Sequence, residues 1–414
     1  MTTLAAPPVS TAALREMIAR ELPELISIRH DLHAHPELGY EEKRTSAVVQ
    51  RELKKDDIEF KAGLAGGTGV LAHLKAAIQT PESRIQKSIG LRADMDALPI
   101  AEQTGAPYAS TVAGKMHACG HDGHTTILLG AARVLGKLSR QSGLPRPVTF
   151  FFQPAEEGGA GAKRMIDDGC MHGKMLGPPV GEMFGLHGWP RLPLGVVATR
   201  PGPLLAASDR FDIVVKGVGA HAAWPHGSRD PIVAAAAIVG ALQTIASRNV
   251  GPLESVVVSV TMLSAGTAYN VIPTTATISG TVRTLTPAVL EVAQRRLKEI
   301  SAGVAQAYGC EAAVDYRLGY PVTLNDSAAV DAFNSTARAA LGEDRVLNMP
   351  QPVMGGEDFS FYSQVVPSCF FVLGLIPPGR ASMPDLHQPD FNFNDDAIAT
   401  GVELFCRLAL RPAG

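Results

Sequence analysis

Residues 116–124, which read Met-His-Ala-Cys-Gly-His-Asp-Gly-His, are rich in side chains that bind metals or transfer protons. The run places a thiol, imidazoles and a carboxylate directly before an apolar helical pattern. Together these donors match a borderline transition metal such as zinc or manganese. Cys119 and His121 are two positions apart, so one turn can direct both at a common centre. A lone histidine more often caps a helix or faces solvent, so this interpretation needs partners elsewhere in the chain.

The pair Glu156-Glu157 supplies such a partner. It follows the wholly apolar run 148–152, which predicts a buried strand, and it lies on a glycine-flanked loop. Two adjacent carboxylates repel each other in a dry site, whereas a cation stabilises one of them as the ionised form. The other carboxylate is then available as a base. Taken alone, the pair is equally compatible with an exposed acidic turn.

His187 and His387 add imidazoles from distant loops. Together with Cys119, His121 and one carboxylate of the glutamate pair, they exceed what a single tetrahedral ion with an open position requires. They suit two ions about 3.5–4 Å apart that share a ligand and a water molecule. The alternative is a cysteine nucleophile activated by a histidine. That alternative leaves the glutamate pair and His387 unexplained.

Composition limits the possible classes of protein. A chain of 414 residues is too long for one ordinary core, and 46% hydrophobic with 19% charged residues indicates a folded globular protein. The net charge of −3 and the pI near 6.5 do not indicate the excess of basic residues that binding to nucleic acid or to an anionic membrane requires. The apolar segment 232–246 is shorter than the ~20 residues of a membrane helix, so it predicts a core helix.

The five cysteines are odd in number and scattered, which favours free thiols in a reducing compartment, predicted to be the cytoplasm. The opening residues 1–10 lack the basic and apolar regions of a secretion signal.

Short strands alternate with helices in the first part of the chain, which predicts an α/β sheet. The predicted strands are 68–74, 88–92, 148–152 and 183–186. Ligand sites gather at the carboxyl ends of such strands, and Asp94, Glu156, Glu157 and His187 are predicted to lie just past those ends. Residues 11–58 are predicted to be helical with a break near Pro36, and the histidines at 30, 33 and 35 lack a carboxylate at ligand spacing.

The pattern changes after residue 203. Strands at 209–217, 254–263, 275–285 and 311–316 and helices at 230–247 and 287–308 follow the order β-α-β-β-α-β. This order is the split unit of a ferredoxin-like domain. We therefore predict a catalytic domain at 1–203 and 319–414, interrupted by an inserted α+β domain at 204–318. In the second catalytic part, strand 369–374 and helix 396–410 are predicted.

Several ordered motifs resemble the dinuclear metallo-aminoacylase and carboxypeptidase family, and more narrowly its amidohydrolase branch of hippurate hydrolases and indole-acetyl-amino-acid hydrolases. The motifs are Cys119-Gly120-His121-Asp122, Pro154-Ala155-Glu156-Glu157-Gly158, Gly185-Leu186-His187 and Leu386-His387. The segments 219–226, 270–273 and 355–359 resemble the signatures of its lid domain and of its final part. The resemblance covers about residues 28–393. It implies a mixed-sheet, zinc-peptidase-like catalytic domain with an inserted lid and dimerisation domain.

The resemblance also implies roles for individual residues. It implies a general base at Glu156, an oxyanion donor at His221 and two divalent ions, zinc or manganese, held by Cys119, His121, Glu157, His187 and His387. Other branches have a metal-binding histidine where this chain has Arg92; Cys119 compensates in this branch, and Asp94 is expected to lie outside the metal ligands.

By the same resemblance, the lid donor comes from a partner subunit, which implies a homodimer or a dimer-based oligomer. Asn270, Arg283 and Gly356 are candidates for substrate binding, although Asn270 and Arg283 are equally plausible as ordinary loop and strand residues. The implied reaction is hydrolysis of the amide bond of N-acyl amino acids such as hippurate-like, N-acetyl or indole-acetyl conjugates. The nearest alternative is a carboxypeptidase or dipeptidase of the same family, and a non-catalytic metal-binding protein would be expected to lack Glu156 or a ligand.

Overall fold

The computed structural model describes residues 9–77 and 87–412. The described chain forms two compact units. The first contains the chain up to Gly202, then Leu324–Pro350 and the part from Phe361 onward, and the second contains Pro203–Thr323 and Gln351–Ser360. Residues 1–8 of the opening segment inspected for a secretion signal lie outside the described residues.

The strands, in chain order, are β1 (Glu59–Leu64), β2 (Gly69–Leu74), β3 (Ser88–Asp94), β4 (Val148–Gln153), β5 (Val180–Pro193), β6 (Val197–Thr199), β7 (Gly202–Leu205), β8 (Ala207–Lys216), β9 (Ala220–His221), β10 (Val256–Ala265), β11 (Val271–Ile272), β12 (Thr275–Thr284), β13 (Glu311–Tyr320), β14 (Thr323–Asn325), β15 (Val346–Asn348) and β16 (Ser368–Ile376).

The helices are α1 (Thr11–Ala34), α2 (Lys43–Lys55), α3 (His121–Ser142), α4 (Glu156–Gly159), α5 (Gly161–Asp167), α6 (Pro231–Leu242), α7 (Pro287–Ala307), α8 (Ser327–Leu341), α9 (Ser360–Ser363) and α10 (Ala397–Ala409). No helix within residues 9–77 and 87–412 combines the length and the apolar character needed to cross a membrane.

The first unit is built on one mixed sheet of eight strands in the order β1-β2-β4-β3-β5-β16-β6-β15. The central strands β4, β3, β5 and β16 run parallel, while β1 and β2 are antiparallel to their neighbours. Every residue of β2, β3 and β4 is buried, as expected for strands covered on both faces. Helix α3 packs on this sheet, and α1 and α10 pack on α3. The α/β fold predicted from the alternating pattern is therefore confirmed.

The second unit contains a four-stranded antiparallel sheet in the order β10-β12-β8-β13. Helices α6 and α7 pack against the sheet and against each other over an apolar core that includes Phe211, Ile238, Ile278 and Leu297. The chain order β8-α6-β10-β12-α7-β13 is the split unit that the sequence predicted.

Three of the differences from the predicted elements concern the bounds of a strand, of a helix and of the second unit. Strand β5 continues through His187 to Pro193, because β16 pairs with it as far as Pro193 across a bulge. The apolar run 230–247 is not one helix: α6 ends at Leu242, and a π-helical turn follows at Ile245–Asn249. The second unit extends beyond 204–318 to include Gln351–Ser360, because the Ala206 N–H donates to the carbonyls of Val353 and Gly355.

A buried charged network joins α1 to the first turn of α3. His33 Nδ1 lies 2.7 Å from Asp122 Oδ2, and its Nε2 lies 3.1 Å from Glu102 Oε1. The guanidinium of Arg29 donates to Asp395 and Asn392 and lies 3.4 Å from Asp122. Although burial opposes the charged form, the carboxylates of Asp122 and Glu102 raise the pKa of His33 to about 9. The network therefore fixes α1 against the segment that carries Cys119 and His121.

The raised pKa of His33 predicts a pH-dependent contribution to stability. Substitution His33→Ala is expected to lower the free energy of unfolding by about 3–5 kcal/mol at pH 6, because it removes the closest charged partner of the buried Asp122 carboxylate. The stabilising charge on His33 is fully present below about pH 6.5 and is lost as the pH rises through about 9. The penalty should therefore shrink by about 2–3 kcal/mol at pH 9.5.

Urea unfolding at pH 6 and pH 9.5 measures this difference. The control is His35→Ala, because His35 is half-exposed and bonds only within its own helix turn. An equal penalty for His33→Ala at both pH values would contradict the assignment of the charged pair.

Candidate metal centre

The segment Cys119-Gly120-His121 lies at the start of α3. Gly120 has φ 88°, a left-handed conformation that favours glycine, and a Cβ atom there would lie 3.0 Å from Phe393 Cδ2. Cys119 immediately precedes this turn, and His121 is the first residue of the helix. The sharp turn allows the thiol and the imidazole to point at one region, as the spacing of the two residues predicted.

The candidate donors from four segments of the first unit meet at this point. Three sets of donor atoms have all members within 4.8 Å of one another: Cys119, His121 and His187; Cys119, Glu157 and His387; and His121, Glu156 and Glu157. The structure therefore brings together all five predicted ligands and the predicted base. Cys119 belongs to both sets that contain a distant histidine.

Two of the histidines have an Nε2 atom that is available to a metal. His187 Nδ1 donates to the carbonyl of Gly188 at 2.7 Å, so its Nε2, 3.3 Å from Cys119 Sγ, is the unprotonated nitrogen. Burial lowers the pKa of His187 well below its ordinary value, which keeps the ring neutral. His121 Nδ1 lies 3.3 Å from Asp96 Oδ1, and its buried Nε2 has no hydrogen-bond partner among the described residues. A carboxylate or carbonyl behind the ring is the usual support of a metal-binding histidine.

The buried oxygen Glu157 Oε1 also lacks a hydrogen bond within the described part of the chain. Its nearest charged neighbour is His387, whose Nε2 forms an ion pair with it at 3.1 Å. Unsatisfied buried polar atoms are costly, and a cation would satisfy both this oxygen and the Nε2 of His121. The donor set and its two orphaned atoms therefore fit a metal centre.

The electrostatics of the protein alone leave protons on this centre. Burial and the neighbouring carboxylates of Glu157 and Glu156 raise the pKa of the Cys119 thiol well above its ordinary value. Burial opposes the charge on His121, but the carboxylates of Asp94 and Asp96 raise the pKa of that imidazole to about 10. Since a metal binds thiolate and neutral imidazole, a cation would have to displace these protons.

His124 and Asp94 also lie close to His121, but their polar atoms are already engaged. His124 Nδ1 lies 2.7 Å from Asp94 Oδ1, and its Nε2 accepts the N–H of Gly188 at 2.8 Å. The other oxygen of Asp94 accepts a hydrogen bond from Arg92 at 2.7 Å. His124 thus fixes the backbone N–H of Gly188 next to His187. Asp94 in turn binds the side chains of both Arg92 and His124.

Asp96 is a residue of this site that the sequence interpretation missed. Its Oδ1 accepts the N–H of Glu156 at 3.0 Å, and its Oδ2 accepts the N–H of Glu157 at 2.9 Å. The same carboxylate lies beside His121 Nδ1. In the sequence, the only indication that Asp96 belongs to the site was its position two residues after Asp94, beyond the end of β3.

The last donor, His387, reaches the centre from a loop. Its backbone has φ 64°, in the left-handed region, and its N–H donates to the carbonyl of Ala118 at 2.8 Å. This bond ties the loop to the Cys119 segment. The His387 side chain is 52% exposed, whereas those of His121 and His187 are buried.

The remaining candidate residues belong to the second unit, where they form two separate pairs. His221 on β9 and Asn270 line one groove of about 810 Å³, and the Ala222 N–H donates to the Asn270 carbonyl at 2.9 Å. His221 Nδ1 accepts the N–H of Ala223 at 3.1 Å, which leaves Nε2 as the protonated nitrogen of the neutral ring.

Arg283 and Gly356 form the other pair, around Ser208. Arg283 donates to the hydroxyl of Ser208, and a Cβ on Gly356 would lie 2.8 Å from Ser208 Cβ. The groove of His221 includes Thr275 at the start of β12, whereas Arg283 lies near the end of that strand. The groove also includes Thr277, so six to eight residues of β12 separate it from Arg283, which is roughly 20–26 Å along the strand at a rise of about 3.3 Å per residue.

The chain is similar in sequence to proteins of named activity. Over 386 residues the chain is 39% identical to an N-acetylcysteine deacetylase of Bacillus subtilis (strain 168), an alignment that covers 93% of this chain and 96% of the relative. It is 39% identical over 391 residues to the IAA-amino acid hydrolase ILR1-like 4 of Arabidopsis thaliana, with 94% and 85% covered.

Among solved structures, the chain is similar to a dinuclear metal-binding peptidase of family M20 from Bacillus subtilis, with a TM-score of 0.80, 35% identity and coverage of 95% of this chain and 98% of that one. The profile of peptidase family M20/M25/M40 matches residues 90–411. This range contains every donor of the centre. The chain belongs to peptidase family M20/M25/M40.

Proposed function

We propose that this protein hydrolyses the amide bond of N-acyl amino acids to give a carboxylic acid and a free amino acid. The observation that carries the proposal is the placement of Glu156 beside a centre of five converging donors. The named activities of the two relatives support it, because each removes an acyl group from an amino acid or an amino-acid conjugate.

We propose two divalent ions, zinc or manganese, as the cofactor. One would be held by Cys119, His121 and His187, and the other by Cys119, Glu157 and His387, since Cys119 belongs to both sets. The dinuclear relative supports the number of ions. Bound at this position, such ions supply Lewis acidity toward the amide oxygen and lower the pKa of water.

In this proposal Glu156 is the general base. It takes a proton from the attacking water and returns it to the nitrogen of the departing amino acid. The hydrogen bond from the Glu156 N–H to Asp96 fixes the backbone of Glu156, and the carboxylate of Glu156 lies within 4.8 Å of donor atoms of His121 and Glu157. His221, whose Nε2 carries the proton, is the donor to the developing oxyanion.

The substrate carboxylate is assigned to Arg283 and Gly356, with Asn270 beside His221. Burial lowers the pKa of Arg283, and no carboxylate forms an ion pair with it among the described residues, which suits an anionic ligand. Because the His221 pair and the Arg283 pair lie at opposite ends of β12, one small substrate cannot contact both within one chain. A site shared between two copies of the chain, and hence a homodimer, resolves this separation.

All five cysteines are buried and unpaired in the structure. This supports the proposal that the enzyme works in a reducing compartment such as the cytoplasm.

The test of the proposed reaction is a panel of N-acetyl, N-benzoyl and indole-acetyl amino acids together with dipeptides, assayed with and without chelator.

Substitution Glu156→Gln is expected to lower kcat by ~10²–10⁴ while the bound metal is retained, because it removes proton transfer without removing a ligand. The matched control, Glu157→Gln, should lose bound metal. Near-normal turnover of metal-loaded Glu156→Gln would overturn the assignment, and a preference for dipeptides would replace the proposed substrate class.

Loading of the metal-free protein with zinc or manganese is expected to release protons. Because the pKa of Cys119 and that of His121 are raised, both groups hold a proton near pH 7, and each proton displaced makes the apparent affinity rise about tenfold per pH unit. Calorimetric titrations at pH 6.5 and 7.5, in buffers of different ionisation enthalpy, measure this release. A heat of binding that is independent of the buffer would contradict it.

The shared site predicts complementation between two inactive variants. Mixed dimers of Glu156→Gln and His221→Ala contain one site that combines an intact Glu156 with an intact His221. Random exchange of subunits should therefore restore about a quarter of wild-type activity, as expected for hybrid active sites assembled across a two-fold interface. Each variant alone remains inactive. Absence of any recovery after exchange, or a fully active monomer, would argue against the shared site.

A further inference from the structure

The loop that carries Glu156 is held by its backbone. The consecutive N–H groups of Ala155, Glu156 and Glu157 all donate to buried carboxylates. Asp96 accepts the second and third of these bonds, and Glu42, one residue before α2, accepts the first through Oε1 at 2.8 Å. Glu42 therefore contacts the loop directly but belongs to neither the donor set nor the base.

The backbone of Ala155 explains why this bond matters. Ala155 has φ 52° and ψ 48°, a left-handed conformation that is unfavourable for alanine because its Cβ approaches the following carbonyl. It occurs at the residue immediately before the base. A strained residue persists only where its surroundings over-determine it. The hydrogen bond from Ala155 to Glu42 is one such constraint.

The connection between α1 and α2 supplies further constraints on the same loop. A Cβ on Gly39 would lie 3.0 Å from Ala155 Cβ, so any larger residue would have to displace Ala155 by a few tenths of an ångström. The Tyr40 hydroxyl donates to the carbonyl of Gly159, and the guanidinium of Arg164 lies 4.1 Å from the centre of the Tyr40 ring. Gly39, Tyr40 and Glu42 therefore all contact the loop that carries Glu156.

The position of Glu42 is energetically unfavourable for a carboxylate. It is fully buried, and no basic side chain forms an ion pair with it in the described part of the chain. Its second oxygen accepts the hydroxyl of Thr68 at 2.8 Å. Burial, with the nearby carboxylate of Asp96 adding to it, raises the pKa of Glu42 to about 7. Because burying a carboxylate is unfavourable, an apolar residue at this position would stabilise the fold more, unless an acceptor for the Ala155 N–H is required.

We propose that Glu42 is a positioning residue of the active site: by accepting the N–H of Ala155 it holds the turn that aims the Glu156 carboxylate. This inference rests on the proposed role of Glu156 as the base. It requires an acceptor atom at Glu42 Oε1, and it does not require a negative charge. The requirement for an acceptor separates the effect of Glu42→Ala from that of Glu42→Gln.

Steady-state kinetics of the metal-loaded dimer test the proposal. Glu42→Ala is expected to lower kcat by about 10–100-fold with KM changed less than about threefold, since a small displacement of a reacting group costs on this order. Glu42→Gln should keep kcat within about threefold, because its amide oxygen accepts the same N–H. The control is Glu37→Ala, whose carboxylate accepts the N–H groups of Arg44 and Thr45 and does not touch the loop. It should lower the melting temperature and leave kcat unchanged.

A second measurement is independent of activity. Hydrogen exchange of the amides of residues 155–157 should accelerate at least tenfold in Glu42→Ala and remain slow in Glu42→Gln, with two ions still bound in both. If the wild-type protein hydrolyses none of the panel, the proposed reaction fails while hydrogen exchange still tests the role of Glu42.

The proposal is overturned if Glu42→Ala keeps wild-type kcat, if Glu42→Gln is as impaired as Glu42→Ala, or if the loss follows loss of metal. Should Glu42→Ala not fold, Thr68→Val removes the hydroxyl that orients Glu42 at nearly constant volume. It should lower kcat about 3–10-fold, and an unchanged kcat would overturn the proposal equally.

Discussion

The candidate centre depends on one carboxylate that is not among its donors. Asp96 accepts the N–H groups of Glu156 and Glu157 and lies beside the Nδ1 of His121. A single buried side chain thus relates the two glutamates to an imidazole from a different element. Because hydrogen bonds to a charged acceptor are directional and strong, this arrangement sets the positions of three functional side chains before any cation arrives.

The fold explains why these groups can meet. Parallel strands of the central sheet end at the same edge, so Asp94 at the end of β3 and Asp96 just beyond it lie next to the loop that follows β4. Helix α3 then begins directly after the Gly120 turn and is anchored from behind by the pair of His33 and Asp122. In the second unit, β12 separates the two pairs of candidate substrate residues along its length. This separation is a property of one chain, and it is the structural reason for proposing a site built from two.

Much of this organisation could be predicted from the sequence. The thiol and histidines of residues 116–124, the glutamate pair and the motifs around His187 and His387 predicted the five side chains that the structure brings together, because ordered motifs carry chemistry directly. The alternating pattern predicted the α/β sheet and the inserted β-α-β-β-α-β unit. Asp96, His124 and Glu42 were not predicted, since their partners are backbone groups or side chains that only the tertiary structure brings near. The length of β5 was missed because its continuation depends on pairing with β16, which local periodicity does not reveal.

The order of the donors along the chain has a consequence for biosynthesis. Cys119, His121, Glu157 and His187 all precede the second unit, whereas His387 follows it, on a loop tied to Ala118. During translation the first four donors leave the ribosome before the insert has been synthesised. Bringing His387 back to them closes a long loop of chain, and the loss of chain entropy on closure must be offset by contacts in the folded domain. The nascent polypeptide therefore presents an incomplete set of donors, and only late folding of the final segment brings His387 to the other four.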